Sequence, residues 1–590
     1  MTQLTHSKLF FSASIMTALI TTSCSSPQKE EGLVGYWKLQ GDCKDYSGKE
    51  NHGVNHGVGL DSGSFDGKKS YIEIPSSTSL KLGSGDFSVS LWVQLPGPIN
   101  DIVGDVMDFY DPTQRKGITL AVSSSAGGYQ SQGTDRHLYF GIDNAQATVW
   151  QDCGRPSLTS NYVSNSLTVY KGKLYGAIAG AKDQKDWAHV FRYEGGQQWT
   201  DCGRVGNEKT EGVLPLIVHN GELYAATSSY DWTRVNQPGR YDPGRVYMYM
   251  GGTSWEEVSG PLGDNRTLTN MASYNGKLFA GGGPNTQAMF TQDTGKVWKL
   301  SSKFPTEGPR KCFPHSSRVY RDKLFVAFPS AYVFDGQQWM YAGVPSEPES
   351  TLQTHSLTVY QGDLIAGTWP LAKVSRYLGG ERWKVFGRVG RDGTEVNALV
   401  VYNGKLYGGS IPRATVSRHE SDSTWTVIKE FYSPEGWTPV PPIENGGDPT
   451  NEQVNAWTRV TSMTVYNGKL FAGIGSCTSS ALDAPADIRG KVFAMEAGKN
   501  VSYHEDLGSG WKHITAIRAG GKLKLYVDGS LIQESDAFDS SLYDLSHDQP
   551  LRLGFGQNDY FTGKMKEVRT YNRALSEAEI KNLASDIASK

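Results

Sequence analysis

The sequence predicts an all-β chain in which a seven-bladed β-propeller is inserted into a β-sandwich. Three observations predict it. A hairpin motif recurs seven times between residues 167 and 471, a tryptophan-bearing strand follows six of the hairpins while a seventh stands upstream of the first, and the two flanking segments are each too incomplete to form a sandwich alone.

The hairpins are Leu167-Thr-Val-Tyr-Lys-Gly-Lys-Leu-Tyr175, Leu216-Ile-Val-His-Asn-Gly-Glu-Leu-Tyr224, Met271-Ala-Ser-Tyr-Asn-Gly-Lys-Leu-Phe279, Ser317-Arg-Val-Tyr-Arg-Asp-Lys-Leu-Phe325, Leu357-Thr-Val-Tyr-Gln-Gly-Asp-Leu-Ile365, Leu399-Val-Val-Tyr-Asn-Gly-Lys-Leu-Tyr407 and Met463-Thr-Val-Tyr-Asn-Gly-Lys-Leu-Phe471. Asn-Gly between alternating apolar runs is a strong hairpin signal, because both central turn positions need positive φ. A third strand follows each hairpin, and a fourth, carrying tryptophan, follows six of them. Four strands in a unit of about 40 to 60 residues make a propeller blade. The fourth-strand tryptophans are Trp199, Trp255, Trp298, Trp339, Trp383 and Trp425, one short of the hairpins. The missing one is Trp150, in a segment, Trp150-Gln-Asp-Cys-Gly154, that copies Trp199-Thr-Asp-Cys-Gly203. The last blade is therefore expected to take its outer strand from the start of the region, which leaves no open sheet edge.

The first flank runs through Gly35-Tyr36-Trp37, Asp45-Tyr46-Ser47-Gly48, Asn51-His52-Gly53, Phe65-Asp66-Gly67, Tyr71-Ile-Glu-Ile74 and Phe87-Ser-Val-Ser-Leu-Trp-Val93. The second carries Trp511-Lys-His-Ile514, Leu525-Tyr-Val-Asp-Gly529 and Val568-Arg-Thr-Tyr-Asn-Arg-Ala-Leu-Ser576, then a short helix from Glu577 to Leu583. Together these motifs resemble the two halves of a LamG-like (concanavalin A-like) jelly roll. The resemblance implies two antiparallel sheets packed face to face, as the alternating apolar patterns also suggest. Insertion of a propeller into a loop is inexpensive, since a closed ring brings its own ends together. The expected organisation is a signal segment at 1–24, a tether at 25–31, the jelly-roll halves at 32–145 and 497–590, and the propeller at 146–496.

Lys8, the apolar stretch Leu9 to Ile20 and Thr21-Thr22-Ser23-Cys24 resemble a bacterial lipoprotein signal, with Cys24 the lipidated residue of an exported, membrane-anchored chain. The stretch is too short to span a bilayer. Lys29-Glu30-Glu31 resembles the export tags of surface-exposed Bacteroidota lipoproteins. A net charge of −3 with interspersed signs creates no long-range field, so nucleic acid is not an expected partner and the membrane is met through the lipid alone. Beyond Cys24 there are five scattered cysteines and no CxxC, which argues against a disulfide framework and a zinc site.

Motifs for chemistry are sparse. Glycines around His52 and His56 place that pair on a turn and strand rather than on a helix where it could grip a metal. Asp45 and Asp66 stand in loops where jelly rolls of this kind can hold calcium, the one cofactor the resemblance implies. Thr291-Gln-Asp-Thr-Gly-Lys-Val-Trp298 resembles the Asp-box of sialidases, a turn device in which Asp293 is expected to tie down its own loop. No paired-carboxylate strand motif, nucleophile elbow, HExxH or P-loop occurs. The chain thus offers no positive motif for an enzyme, and no catalytic residue is assigned.

In a propeller the loops entering the inner strands share one face with those joining second and third strands, and ligands gather there. On entry this chain places Asn165, Asn270, His315, His355, Asn397 and Ser462, and after the second strands Asn285, Trp369, Arg413 and Cys477. Longer excursions carry Trp187, Tyr230, Trp232, Arg234, Arg240, Trp437 and Trp457. With 15 Trp and 30 Tyr in the chain, aromatics mixed with Asn, His and Arg suit a polyhydroxylated ligand. A glycan bound through His315, His355, Trp369, Asn397, Arg413, Trp232 and Arg234 is the first expectation. An exo-acting, sialidase-like glycosidase or polysaccharide lyase on the same face, and a protein-binding scaffold, are the alternatives.

Replacement of Cys24 by Ser is expected to move the protein from the membrane to the soluble fraction on fractionation while leaving it folded. Full membrane retention of that variant is incompatible with the anchor.

Overall fold

The seven hairpin tips all adopt the left-handed backbone that a tight hairpin requires. Asn403 and Gly404 have φ of 43° and 77°, Asn467 and Gly468 47° and 69°, and the tip without glycine, Arg321-Asp322, 50° and 62°. The structure, a computed structural model, describes residue 1 and residues 30–585 apart from 99, 102, 126–127, 161, 165, 180–186, 229–241, 264–266, 283–287, 306–313, 328–329, 347–352, 434–456, 477–483 and 486.

Each hairpin continues into a four-stranded antiparallel sheet, and seven such sheets make the seven-bladed propeller that the repeat predicts. Six blades take four consecutive strands. The seventh takes three, Arg459–Tyr466, Lys469–Gly475 and Val492–Glu496, and is completed by Val149–Asp152, with Met495 opposite Trp150. The outer tryptophans stitch blade to blade. The indole N–H of Trp199 donates to Cys153 O at 2.8 Å, Trp255 to Cys202 O at 2.9 Å, Trp298 to Val258 O at 2.9 Å and Trp383 to Ala342 O at 2.8 Å. Each acceptor lies three residues after the tryptophan of the preceding blade. Trp339 finds the Ser301 hydroxyl instead, and the buried indole nitrogens of Trp150 and Trp425 have no partner.

Two seven-stranded sheets form the sandwich, and each draws strands from both flanks. In one, Phe87–Leu95 lies between Thr562–Tyr571 and Gly510–Ala519. In the other, Leu551–Leu553 sits between Tyr71–Ile74 and Gly104–Asp111, which continues through Lys116–Ser123 and His137–Asn144 to Lys499–Tyr503. A single core of alternating inward side chains joins the sheets, including the fully buried Trp37, Phe87, Phe140 and Phe561. The chain leaves the sandwich after Asn144 and returns at Lys499 on the neighbouring strand, where Lys499 faces Ile142. The propeller is thus inserted between two hydrogen-bonded neighbours. The helix spans Glu577–Ser585.

The hairpin tips rest on the sandwich. Asn403 Nδ2 donates to Ile142 O at 3.1 Å and Ala497 O at 2.7 Å, Lys405 Nζ to Pro112 O at 2.9 Å, and Gly362 N to Asn558 O at 3.1 Å. One end of the propeller is therefore covered by its host. Cys43, Cys153 and Cys202 are free thiols.

The stitch has a measurable consequence. Trp255→Phe removes a part-buried indole bond to Cys202 O, whereas Trp425→Phe removes an indole nitrogen that has no hydrogen-bond partner. In thermal or denaturant melts the first variant is expected to lose about 0.5–1.5 kcal/mol more than the second.

Candidate functional site

The inner strands of blades five, six and seven carry a β-bulge at one shared position. The pairing of Gln353–Tyr360 skips His355, that of Glu395–Tyr402 skips Asn397, and that of Arg459–Tyr466 skips Thr461. A bulge inserts an unpaired residue and re-aims its side chain. Here it sits at the strand-entry end, two residues after Gln353, Glu395 and Arg459. His315 occupies the equivalent place in blade four, just before Ser316–Tyr320.

A sandwich loop reaches the same place. Between Lys116–Ser123 and His137–Asn144 the chain runs into the propeller, where Gln130 bridges Met271 and Asn270 Nδ2 donates to Tyr129 O at 2.9 Å. Ser273 N donates to Ser131 Oγ at 3.0 Å, and Gln130 Nε2 to Thr168 Oγ1 at 3.0 Å. The loop is thus tied to the inner strands of blades one and three. These ties carry the Tyr129 hydroxyl to 3.2 Å from His355 Nδ1.

One connected cluster results. His315 Nε2 lies 2.8 Å from His355 Nδ1, and His355 Nε2 lies 2.5 Å from Gln353 Oε1. Arg459 Nη1 donates to Glu395 Oε1 at 3.0 Å, and Asn397 Nδ2 donates to the same oxygen. Burial drives both imidazoles well below the ordinary histidine range, with the neighbouring ring adding to the effect at His315 and the Arg459 charge at His355. Both rings are therefore neutral at pH 7, and the 3.4 Å approach of His355 Nδ1 to Glu395 Oε1 is a polar contact rather than an ion pair. A neutral ring has one donor and one acceptor nitrogen. With His355 Nε2–H donating to Gln353, its Nδ1 accepts from His315 Nε2–H, and the remaining lone pair of the two rings falls on His315 Nδ1. Arg459 also lies 5.9 Å from the ring centre of the half-buried Trp457.

Of the residues expected from sequence to meet a ligand, His315, His355 and Asn397 are brought together. Trp369 ends the strand beside theirs, opposite Gln353, buried and with Nε1 unpartnered. Arg413 is placed apart, its guanidinium held by Asp392, Glu430 and Ser433. Trp232, Arg234 and Cys24, with Asn165, Tyr230, Arg240, Asn285, Trp437 and Cys477, lie outside the described residues. Sequence reasoning missed Gln353, Glu395, Arg459 and Tyr129. The first three stand two residues upstream of the bulge position and could have been found by extending each hairpin repeat toward its N-terminus. Tyr129 carries no local signal.

The other motifs serve structure. Asp45 accepts from the backbone of Tyr36, Ser47 and Asn51, and Asp66 from Lys68, Lys69 and Ser70. Donors meet both oxygens of Asp45 but only Oδ1 of Asp66, and among the described residues no three metal-ligating side chains converge. His52 Nδ1 accepts from Asp45 N, and His56 stacks on Tyr71. The Asp-box turn is tied differently from expectation. Gln292 Nε2 donates to Gly295 O at 2.6 Å, while Asp293 pairs with Lys299 at 3.0 Å, because the strand pairing turns the Asp carboxylate toward the facing strand.

The class of protein defined here is a propeller carried by a jelly-roll sandwich. Residues 448–581 match a laminin G family model described as the concanavalin A-like lectin/glucanases superfamily. The match begins ahead of the seventh blade and takes in the second flank, while the sandwich also draws on residues 33–144. No curated protein matches the sequence. Similar solved structures include a streptogramin B lyase at 10% identity and TM-score 0.41, covering 59% of this chain and 97% of that one. A catalytically inactive virginiamycin B lyase from Staphylococcus aureus with quinupristin stands at 11% identity and TM-score 0.41, covering 59% and 99%. The WD40 β-propeller domain of Doa1 stands at 12% identity and TM-score 0.37, covering 59% and 96%.

Two outcomes are expected from this geometry. In histidine-labelled protein followed by NMR, the His315 and His355 rings should stay neutral from roughly pH 8 to 6, a range in which a free imidazole becomes substantially protonated. Their folded pKa lies below the unfolded one, so their contribution to stability is complete above the unfolded value and is lost as pH falls toward the folded one. Glu395→Gln removes the charge that faces the buried Arg459, and its melt should report a loss of about 1.5–3 kcal/mol.

Proposed function

We propose that this chain is an exported, lipid-anchored protein that binds carbohydrate at the strand-entry end of the propeller, around His355 and Asn397. The observation that carries the reading is the bulged inner strands, which gather imidazoles, amides and a guanidinium while leaving the buried Asn397 Oδ1 and Trp369 Nε1 without partners. Buried polar atoms cost free energy unless a partner meets them, and a sugar hydroxyl can both accept from the indole and donate to the amide. The Trp457 ring near Arg459 supplies the flat apolar surface on which the C–H face of a sugar stacks. The concanavalin A-like lectin/glucanases match supports the same ligand class. Export and anchoring rest on Lys8, the apolar stretch and Cys24.

A glycan array probed with the soluble chain from Ser25, followed by titration of the best ligand, tests the assignment. Asn397→Ala and Trp369→Phe each remove one polar contact worth about 1–3 kcal/mol, so each should weaken binding about five- to 150-fold. Failure to bind any glycan, or parental affinity in both variants, overturns it.

A further inference from the structure

One hairpin repeat departs from the other six in charge. The second residue of the motif is Thr168, Ile217, Ala272, Thr358, Val400 or Thr464 elsewhere, and Arg318 in blade four. That position faces the centre of the ring, where Thr168 meets Gln130 and Thr464 meets Ser125 of the sandwich loop. Arg318, Thr358, Val400 and Thr464 line a cavity of about 80 Å³, shared with the sandwich residues Ser124 and His504. It lies at the hairpin-tip end, with Asn403 and Gly404 in its wall, and none of the cluster around His355 reaches it. At roughly 10–15 Å³ per water it has room for about six waters, enough for one small oxyanion and too little for an oligosaccharide.

A buried guanidinium needs a counter-charge or a full set of acceptors. Arg318 is 3% exposed, and among the described residues it forms no hydrogen bond and no ion pair, its Nε standing buried without a partner. Burial pushes it below the ordinary arginine range. The carboxylates that oppose this shift, Asp101 and Asp559, act from beyond ion-pair distance. Asp559 is itself driven well above the usual carboxylate range by burial and by the charges of Asp101 and Asp105, so it offers little compensation. Two neutral donors line the same cavity. Burial holds His504 well below the ordinary histidine range, and its Nε2 accepts from Asn467 N at 3.0 Å. The ring proton is therefore on Nδ1, a buried atom with no partner. The Ser124 hydroxyl is likewise buried and unpartnered.

We propose that this cavity binds a small oxyanion, inorganic phosphate or sulfate, held by the Arg318 guanidinium with Ser124 Oγ–H and His504 Nδ1–H as further donors. The anion supplies the charge that Arg318 lacks. Because Ser124 and His504 belong to the sandwich, it also fastens blade four to the host. The site is separate from the proposed carbohydrate site and stands without it.

The test dialyses the soluble chain from Ser25 into a zwitterionic buffer and titrates it calorimetrically with sodium phosphate, sodium sulfate and, at matched ionic strength, sodium chloride. Melts are recorded over the same series. Phosphate or sulfate should bind saturably and raise Tm progressively above the concentration of half-saturation, as a ligand of the folded state does. Arg318→Met should weaken that binding about 10- to 150-fold and Ser124→Ala about two- to tenfold. Without oxyanion, Arg318→Met should melt no lower than the parent, since it removes a buried charge left uncompensated, and it should lose the rise that phosphate gives the parent. Failure of Arg318→Met to fold, or a Tm equally lowered with and without phosphate, shows that protein carboxylates already hold the guanidinium and overturns the site. Absence of saturable binding to the parent, or parental affinity in Arg318→Met, overturns it as well. An equal response to chloride overturns the oxyanion class.

Discussion

The pairing of Val149–Asp152 with Val492–Glu496 is the constraint on which the rest of the molecule depends. It turns a row of blades into a ring without exposed strand edges. It also places the chain's exit and return side by side. The sandwich therefore receives its missing half at the point where it was interrupted, Lys499–Tyr503 lying against His137–Asn144. An open row of blades would separate those ends, and the two flanks could not share a core.

Closure alone does not build the site. Hydrogen-bonded hairpin tips seat the ring on the sandwich, and the loop bearing Tyr129 passes into the centre and is fixed to Met271, Asn270 and Thr168. The host is thus both support and contributor. A tyrosine on a long loop would otherwise sample many positions, and its fixation by inner strands is what gives the contact with His355 a defined length. The buried Arg459–Glu395 pair has a comparable role at the other side of the cluster, holding two polar side chains against bulged strands.

Repetition made the propeller readable. Seven hairpins and seven tryptophans follow a periodic pattern, and even the borrowed strand was visible because Trp150-Gln-Asp-Cys-Gly154 copies its neighbour. The expectation of the entry face was readable for a related reason. Positions before an inner strand share one location in every blade, so His315, His355 and Asn397 could be grouped from their spacing. Arg413 was expected on the same face from a different rule, its place just after a second strand, yet the structure turns it toward Asp392 and Glu430, since an arginine this long settles on whichever carboxylates lie in reach.

The number of blades, the hairpin turns and the strand that closes the ring were legible in the sequence because they follow from local periodicity and backbone preference, and the interrupted sandwich was legible through the resemblance of its two flanks to the halves of a jelly roll. The tertiary structure alone decided which polar groups meet. The bulges that turn out His355 and Asn397 arise from pairing against a neighbouring strand, and no single segment encodes them. Tyr129 stands 226 residues from its partner His355 and belongs to the other fold. Their contact exists because ring and sandwich were packed together, a long-range consequence of two closed cores that no window of sequence contains.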